Sequence, residues 1–232
     1  MTAEDRRAGL WRGLGQGDRN GGPTQMALRL KQSLESRRGF CPDDVFARYL
    51  AWWATEGFDT GPTAAGVFAL AQAGVDRETA VHQIHEESGG ATAGCNPAHR
   101  AAPLAMMAFL PLSELGYLAR QEARLTHLHP DAGETSAAVV LLARHLIDGL
   151  PWAEALPATA AQVHGPAREA LLAPPSRPLD PGGHAPEVLR AAVHFIGQHP
   201  DFPSALQASL TFAGPANYCP VLVGTLAGAR WG

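Results

Sequence analysis

Gly22-Pro23-Thr24, Gly61-Pro62-Thr63 and Gly214-Pro215-Ala216 each set glycine and proline side by side at the head of a stretch with helical periodicity. Proline in the first turn of a helix gives up no hydrogen bond, and the glycine before it lets the chain bend tightly into the helix. Each start leaves bare N–H donors. If the three ends converge, they form a pocket of positive backbone dipole with almost no side-chain charge. A phosphate, a sugar hydroxyl or a carboxylate suits such a pocket.

Apolar residues recur at helical spacing through nearly the whole chain, and no segment has the strict alternation of a half-buried strand. The expected fold class is all-α. Helices are expected over about 24–36, 42–55, 63–73, 77–87, 101–110, 113–125, 131–148, 152–163 and onward, 185–198, 203–211 and 218–230, with ends good to about two to four residues. Asp76 is placed to cap one helix, and Asp201 or Ser204 another, while Pro42-Asp43-Asp44 sets two acids against a helix dipole. The Pro/Gly-rich stretch at about 173–184 cannot continue a helix. It reads as an internal loop, so residues 1–232 are expected to form a single domain. No period of 20 to 50 residues repeats, which disfavours a solenoid.

A chain of 232 residues is long enough to bury a substantial core without staples. Its net charge of -4 gives no electrostatic footprint for nucleic acid or an anionic membrane. No apolar run is long enough to span a bilayer, and no apolar signal core follows the mixed-charge start. Cys41, Cys95 and Cys219 are odd in number and lack metal-ligand spacing, which points to free thiols in a reducing compartment. A cytoplasmic location is expected.

Some clusters have plain structural explanations. Gly13, Gly15 and Gly17 have the wrong spacing for a phosphate-binding loop, and close helix packing is the better reading. His82, His85 and Glu86 share a helical face that could hold a metal, but an exposed amphipathic face explains them more simply.

Several motifs occur in a telling order: Gly13-Leu14-Gly15-Gln16-Gly17-Asp18, Thr24-Gln25-Met26-Ala27-Leu28, Phe58-Asp59-Thr60-Gly61-Pro62-Thr63, Thr92-Ala93-Gly94-Cys95-Asn96, Leu125-Thr126-His127 with His129-Pro130, and the terminal run from Leu222 to Gly232. Together they resemble the ADP-ribosylglycohydrolase family, which includes the activating hydrolase of dinitrogenase reductase and its crystallin relatives. The resemblance implies an orthogonal multi-helix bundle. It also implies a site with two magnesium ions, held by a Thr-Asp-Asp-Thr run before the Gln-Met-Ala-Leu helix and an Asp-x-Asp-Thr run before the last helix.

This sequence departs from both runs. The first reads Gly21-Gly22-Pro23-Thr24 and the second Pro215-Ala216-Asn217-Tyr218. Magnesium takes near-octahedral oxygen ligation, largely from carboxylates and water, so no metal cofactor is expected. The segment between Asp18 and the first run is almost gone, which implies a shortened covering loop.

By the same resemblance, Asp59 stands near the reacting sugar carbon, although as a residue it could equally cap the helix after it. Asp18, Thr24, Asn96, Asn217 and Tyr218 are the expected substrate-binding residues. The Tyr218 ring could stack on a base or plug the former metal cavity. His99 and Arg100 read as a solvated surface turn, with a phosphate contact from Arg100 as the alternative; His127 and His129 read as structural. The expected function is binding or slow hydrolysis of an ADP-ribosyl or related phosphorylated ribosyl compound in a degenerate, magnesium-free site. The alternative is a catalytically inactive pseudoenzyme that serves a protein partner.

Overall fold

The structure is a computed structural model that describes residues 1–172 and 178–232. Among these residues the chain runs through fourteen helices. They are α1 (Ala3–Asp18), α2 (Gly22–Arg37), α3 (Pro42–Thr55), α4 (Gly61–Gln72), α5 (Arg77–Glu87), α6 (Asn96–Arg100), α7 (Ala102–Met106), α8 (Leu112–Ala123), α9 (Pro130–Ile147), α10 (Trp152–Ala160), α11 (Gly165–Leu172), α12 (Ala185–Gln198), α13 (Phe202–Ala213) and α14 (Tyr218–Trp231). The one β-type pairing among them is an isolated bridge between Gly94 and His184. The fold is all-α, as expected.

The most intimate packing joins the two ends of the chain. Gly9, Gly13 and Gly17 follow one another at every fourth position of α1 and face Gly228, Gly224 and Pro220 of α14. A Cβ on Gly13 would run into the carbonyl of Gly224, and one on Gly224 into the carbonyl of Gly13. Gly17 meets the Pro220 carbonyl in the same way. Helix-period glycines thus let two backbones touch, which confirms close packing for Gly13 and Gly17. The same glycines lower helix propensity, by about 1 kcal/mol each relative to alanine. That is why α1 escapes a sequence-based expectation although it is 16 residues long.

Helix α9 threads the core: Ala137, Ala138, Val139, Val140, Leu141 and Leu142 are all buried, as befits a helix apolar on every side. At its end the buried Arg144 donates to the carbonyls of Ala105, Met107 and Leu110 at 2.6 to 3.1 Å. These bonds satisfy carbonyls that a continuing helix would have used. The helix expected over 101–110 therefore stops at Met106, and α6 precedes it as a separate short turn. Asp76 and Asp201 cap α5 and α13 through the amides of Thr79 and Ser204.

Of the expected loop at about 173–184, residues 173–177 lie outside the described residues. From Pro178 the chain returns to the body, where Gly183 accepts from the Cys95 amide at 3.0 Å and Ala185 donates to Ala93 at 2.9 Å. No helix among the described residues is long and apolar enough to cross a membrane.

Candidate functional site

Two successive left-handed residues, Arg19 (φ 55°) and Asn20 (φ 56°), turn α1 into α2. Asn20 donates to the Gly15 carbonyl at 2.9 Å, and Gly21 to that of Asp18 at 3.1 Å. The turn brings the Asp18 carboxylate to the start of α2, which has no cap of its own. Asp18 Oδ2 accepts from the Thr24 amide at 2.8 Å and from the Thr24 hydroxyl at 2.6 Å. An acid at a helix N-terminus is favoured by both the free amides and the dipole.

Beside this junction lies a cleft of about 590 Å³, with Pro23, residues 60–63 and residues 215–218 among its lining. The three Gly-Pro segments therefore converge. Only two are helix starts, however. Gly214 ends α13 with φ 61°, and α14 begins later, at Tyr218.

Asn217 occupies the centre of the arrangement. Its Nδ2 donates to Asp18 Oδ1 at 3.0 Å and to Asp59 Oδ2 at 2.9 Å. Asp59 is exposed on the cleft wall and has φ 49°, a conformation uncommon outside glycine. It does not cap α4: the cap position belongs to Thr60, without a side-chain hydrogen bond. Asp18 is buried, with 3 % of its surface exposed. Burial is the main cause that pushes its carboxyl up to about 6, and the Asp59 charge adds to it, whereas the bonds from Thr24 and Asn217 hold it down.

The inner wall belongs to α6 and the turn after α8. Arg100 is fully buried, not solvated as a surface turn would have it, and it is too committed to reach a phosphate. Its Nε pairs with Glu122 Oε1 at 2.6 Å, its Nη2 donates to Thr126 Oγ1 at 2.9 Å, and its Nη1 donates to Asn96 Oδ1 at 2.6 Å. The Tyr49 hydroxyl donates to the same Glu122 oxygen at 2.7 Å. With its carbonyl engaged by Arg100, Asn96 has its NH₂ left to offer the cleft it lines.

Two buried histidines also line the cleft, His99 and His127. His99 Nε2–H donates to the Tyr218 carbonyl at 2.9 Å, and burial lowers its pKa to about 4. Thr126 Oγ1, which accepts from Arg100, lies 2.8 Å from His127 Nδ1 and is hydrogen-bonded to it. Burial, followed by the Arg100 charge, pushes the His127 pKa well down, so its imidazole is neutral. Cys95 and Cys219 are buried free thiols whose pKa burial raises, which leaves no basis for a thiolate nucleophile.

Asp18, Asp59, Asn96, Asn217 and Tyr218 all line this one cleft. Thr24 does not; its amide and hydroxyl both donate to Asp18. The Tyr218 ring plugs nothing. It is 39 % exposed and lies against the Gly183 backbone, where a Cβ would come within 3.2 Å of it. His127, read from the Thr-His run as structural, is buried and also lines the cleft. His85 Nδ1 pairs with Thr92 Oγ1 at 2.7 Å, consistent with a structural rather than metal-ligating role.

The sequence profile of ADP-ribosylglycohydrolases matches residues 4–232. The chain belongs to the ADP-ribosylglycohydrolase family. A solved structure described as an "ADP-ribosylglycohydrolase-related protein complex" is similar to it, with a TM-score of 0.78 and 27 % identity over 99 % of this chain and 88 % of that one. No curated protein matches it significantly in sequence.

Within this ADP-ribosylglycohydrolase fold the residues present do not fit two magnesium ions. Two octahedral ions need many oxygen ligands, and the cleft offers the carboxylates of Asp18 and Asp59. The point those carboxylates share is taken by two N–H donors of Asn217. Among the described residues no group of three or more His, Cys, Asp or Glu side chains is arranged to hold a metal.

Proposed function

We propose that this member of the ADP-ribosylglycohydrolase family binds an ADP-ribosyl group, or a related phosphorylated N- or O-ribosyl compound, without divalent metal and hydrolyses it slowly. The observation that carries the proposal is the Asn217 amide bonded to both Asp18 and Asp59 inside the cleft.

Asp59 is the carboxylate open to a ligand. Glycoside cleavage passes through an oxocarbenium-like state, which a carboxylate stabilises or supplies with an activated water. Asp18 stays behind it, committed to Thr24 and Asn217, and fixes the geometry. The first turn of α4 has no side-chain cap, so its amides are available to a phosphate or a hydroxyl. The Asn96 NH₂ adds a neutral donor, the neutral His127 imidazole adds a polar group, and the exposed Tyr218 ring offers a face for a base or ribose. Slow turnover follows from the absence of a strong Lewis acid in this scheme.

A protein-binding pseudoenzyme would need a broad apolar face at the cleft mouth. Asp59, Thr63 and Asn217 interrupt such a face. The test compares the wild type with Asp59→Asn in chelator, following both ADP-ribose affinity and release of the ribosyl group from an N-ribosyl substrate. The variant should keep affinity within a few-fold and lose release. Release undiminished in Asp59→Asn would refute the role given to Asp59.

A further inference from the structure

Each N–H of the Asn217 amide is spent on a different carboxylate, at 3.0 and 2.9 Å. An amide oxygen placed there would face two anions, so the surroundings dictate which way the side chain points. The space around the clamp is tight as well. A Cβ on Gly21 would stand 2.7 Å from Asp59 Oδ2 and 3.0 Å from Asp18 Oδ1. A Cβ on Gly22 would run into the carbonyls of Phe58 and Asp59. The segment carrying Asp59 therefore occupies the room that side chains at 21 and 22 would need. Asp59 is held there with φ 49°, and strained backbone of this kind persists only where surrounding bonds determine it.

We infer that Asn217 is a positioning residue that takes the part of a cation: its amide holds the Asp59 carboxylate beside Asp18 and keeps divalent ions out of the cleft. The inference rests on the metal-free reading of this site, but its test needs no ribosyl ligand. An ion that enters must break two charge-assisted hydrogen bonds and turn the amide around. Aspartate at 217 has no N–H to give. It would crowd three carboxylates together, which repel one another when empty and form a hard-oxygen site for one ion when filled.

The test is a Mn²⁺ titration of wild type, Asn217→Asp and Asn217→Ala by calorimetry and electron paramagnetic resonance, with the melting temperature followed alongside. Asn217→Asp should melt below the wild type in chelator, rise on addition of Mn²⁺, and bind one ion at least about tenfold more tightly than the wild type. Asn217→Ala, which frees both carboxylates, should also gain affinity over the wild type, though less. Wild-type binding as tight as that of Asn217→Asp overturns the inference, as does a folded Asn217→Asp that Mn²⁺ neither binds nor stabilises. If Asn217→Asp does not fold even with Mn²⁺, Asn217→Ala decides: a gain supports the inference and no gain overturns it. Failure of the wild type to bind ADP-ribose would defeat the ligand proposal and leave the Mn²⁺ result standing.

Discussion

Arg100 lies wholly inside the protein, yet through the 2.6 Å bond from its Nη1 it sets how Asn96 faces the cleft. The same guanidinium is the counterion of the buried Glu122 and lies over the Tyr49 ring, 5.1 Å from its centroid. Removing one member of a buried ion pair leaves the other charge without compensation, at a cost of about 3–5 kcal/mol. Arg100→Met should lower unfolding stability by that amount in a denaturant titration, whereas Arg100→Met combined with Glu122→Leu should recover much of it. Equal losses in the single and double variants would mean that the pair is not what stabilises this wall.

Asp18 should titrate near pH 6, because burial outweighs its hydrogen bonds. Its folded value lies above the ordinary 3.8. Its contribution to stability is therefore fully present below about pH 4 and is lost as pH rises through about 6. Carboxyl ¹³C NMR should place the midpoint near 6. Asn217→Ala removes a donor and should move the midpoint up, while Asp59→Asn removes a like charge and should move it down. A midpoint unmoved by both variants would contradict the clamp geometry.

Restoring an acid by sequence analogy alone should fail. Gly22→Asp sets a side chain against the carbonyls of Phe58 and Asp59. It should lower the melting temperature and create no Mg²⁺ site detectable by calorimetry. A stable Gly22→Asp protein that binds Mg²⁺ would mean that this segment moves aside readily.

Gly224→Ala tests the packing of α1 on α14. The added methyl group meets the Gly13 carbonyl, and overpacking costs about 1–3 kcal/mol, occasionally more. The variant should lose at least about 2 kcal/mol in chemical denaturation. Gly39→Ala, where a Cβ meets nothing within 4 Å, is the control and should change little.

Local chemistry made α3, α5 and α12 legible to the residue, since proline or a capping Asp76 marks where each begins. Helix α1 was not legible, because what offsets its glycines is the backbone of α14, more than 200 residues away. Arg100 was misread for a similar reason. Nothing in the Asn96–Arg100 segment announces that Tyr49, Glu122 and Thr126 close around it. In the site, Asp18, Asp59, Asn96, Asn217 and Tyr218 could be named from motifs. Their arrangement could not, because a bond between Asn217 and Asp18 spans 199 residues of sequence and depends on the glycine turn that lets Asp59 close in.

The central claim is that an amide has replaced a cation between two carboxylates and that the cleft still takes its ligand. Calorimetric titration of the wild-type protein with ADP-ribose, once in chelator and once in excess Mg²⁺, tests it most directly. The expected result is saturable binding with the same dissociation constant in both. Binding that appears, or tightens tenfold or more, only when Mg²⁺ is present would contradict it.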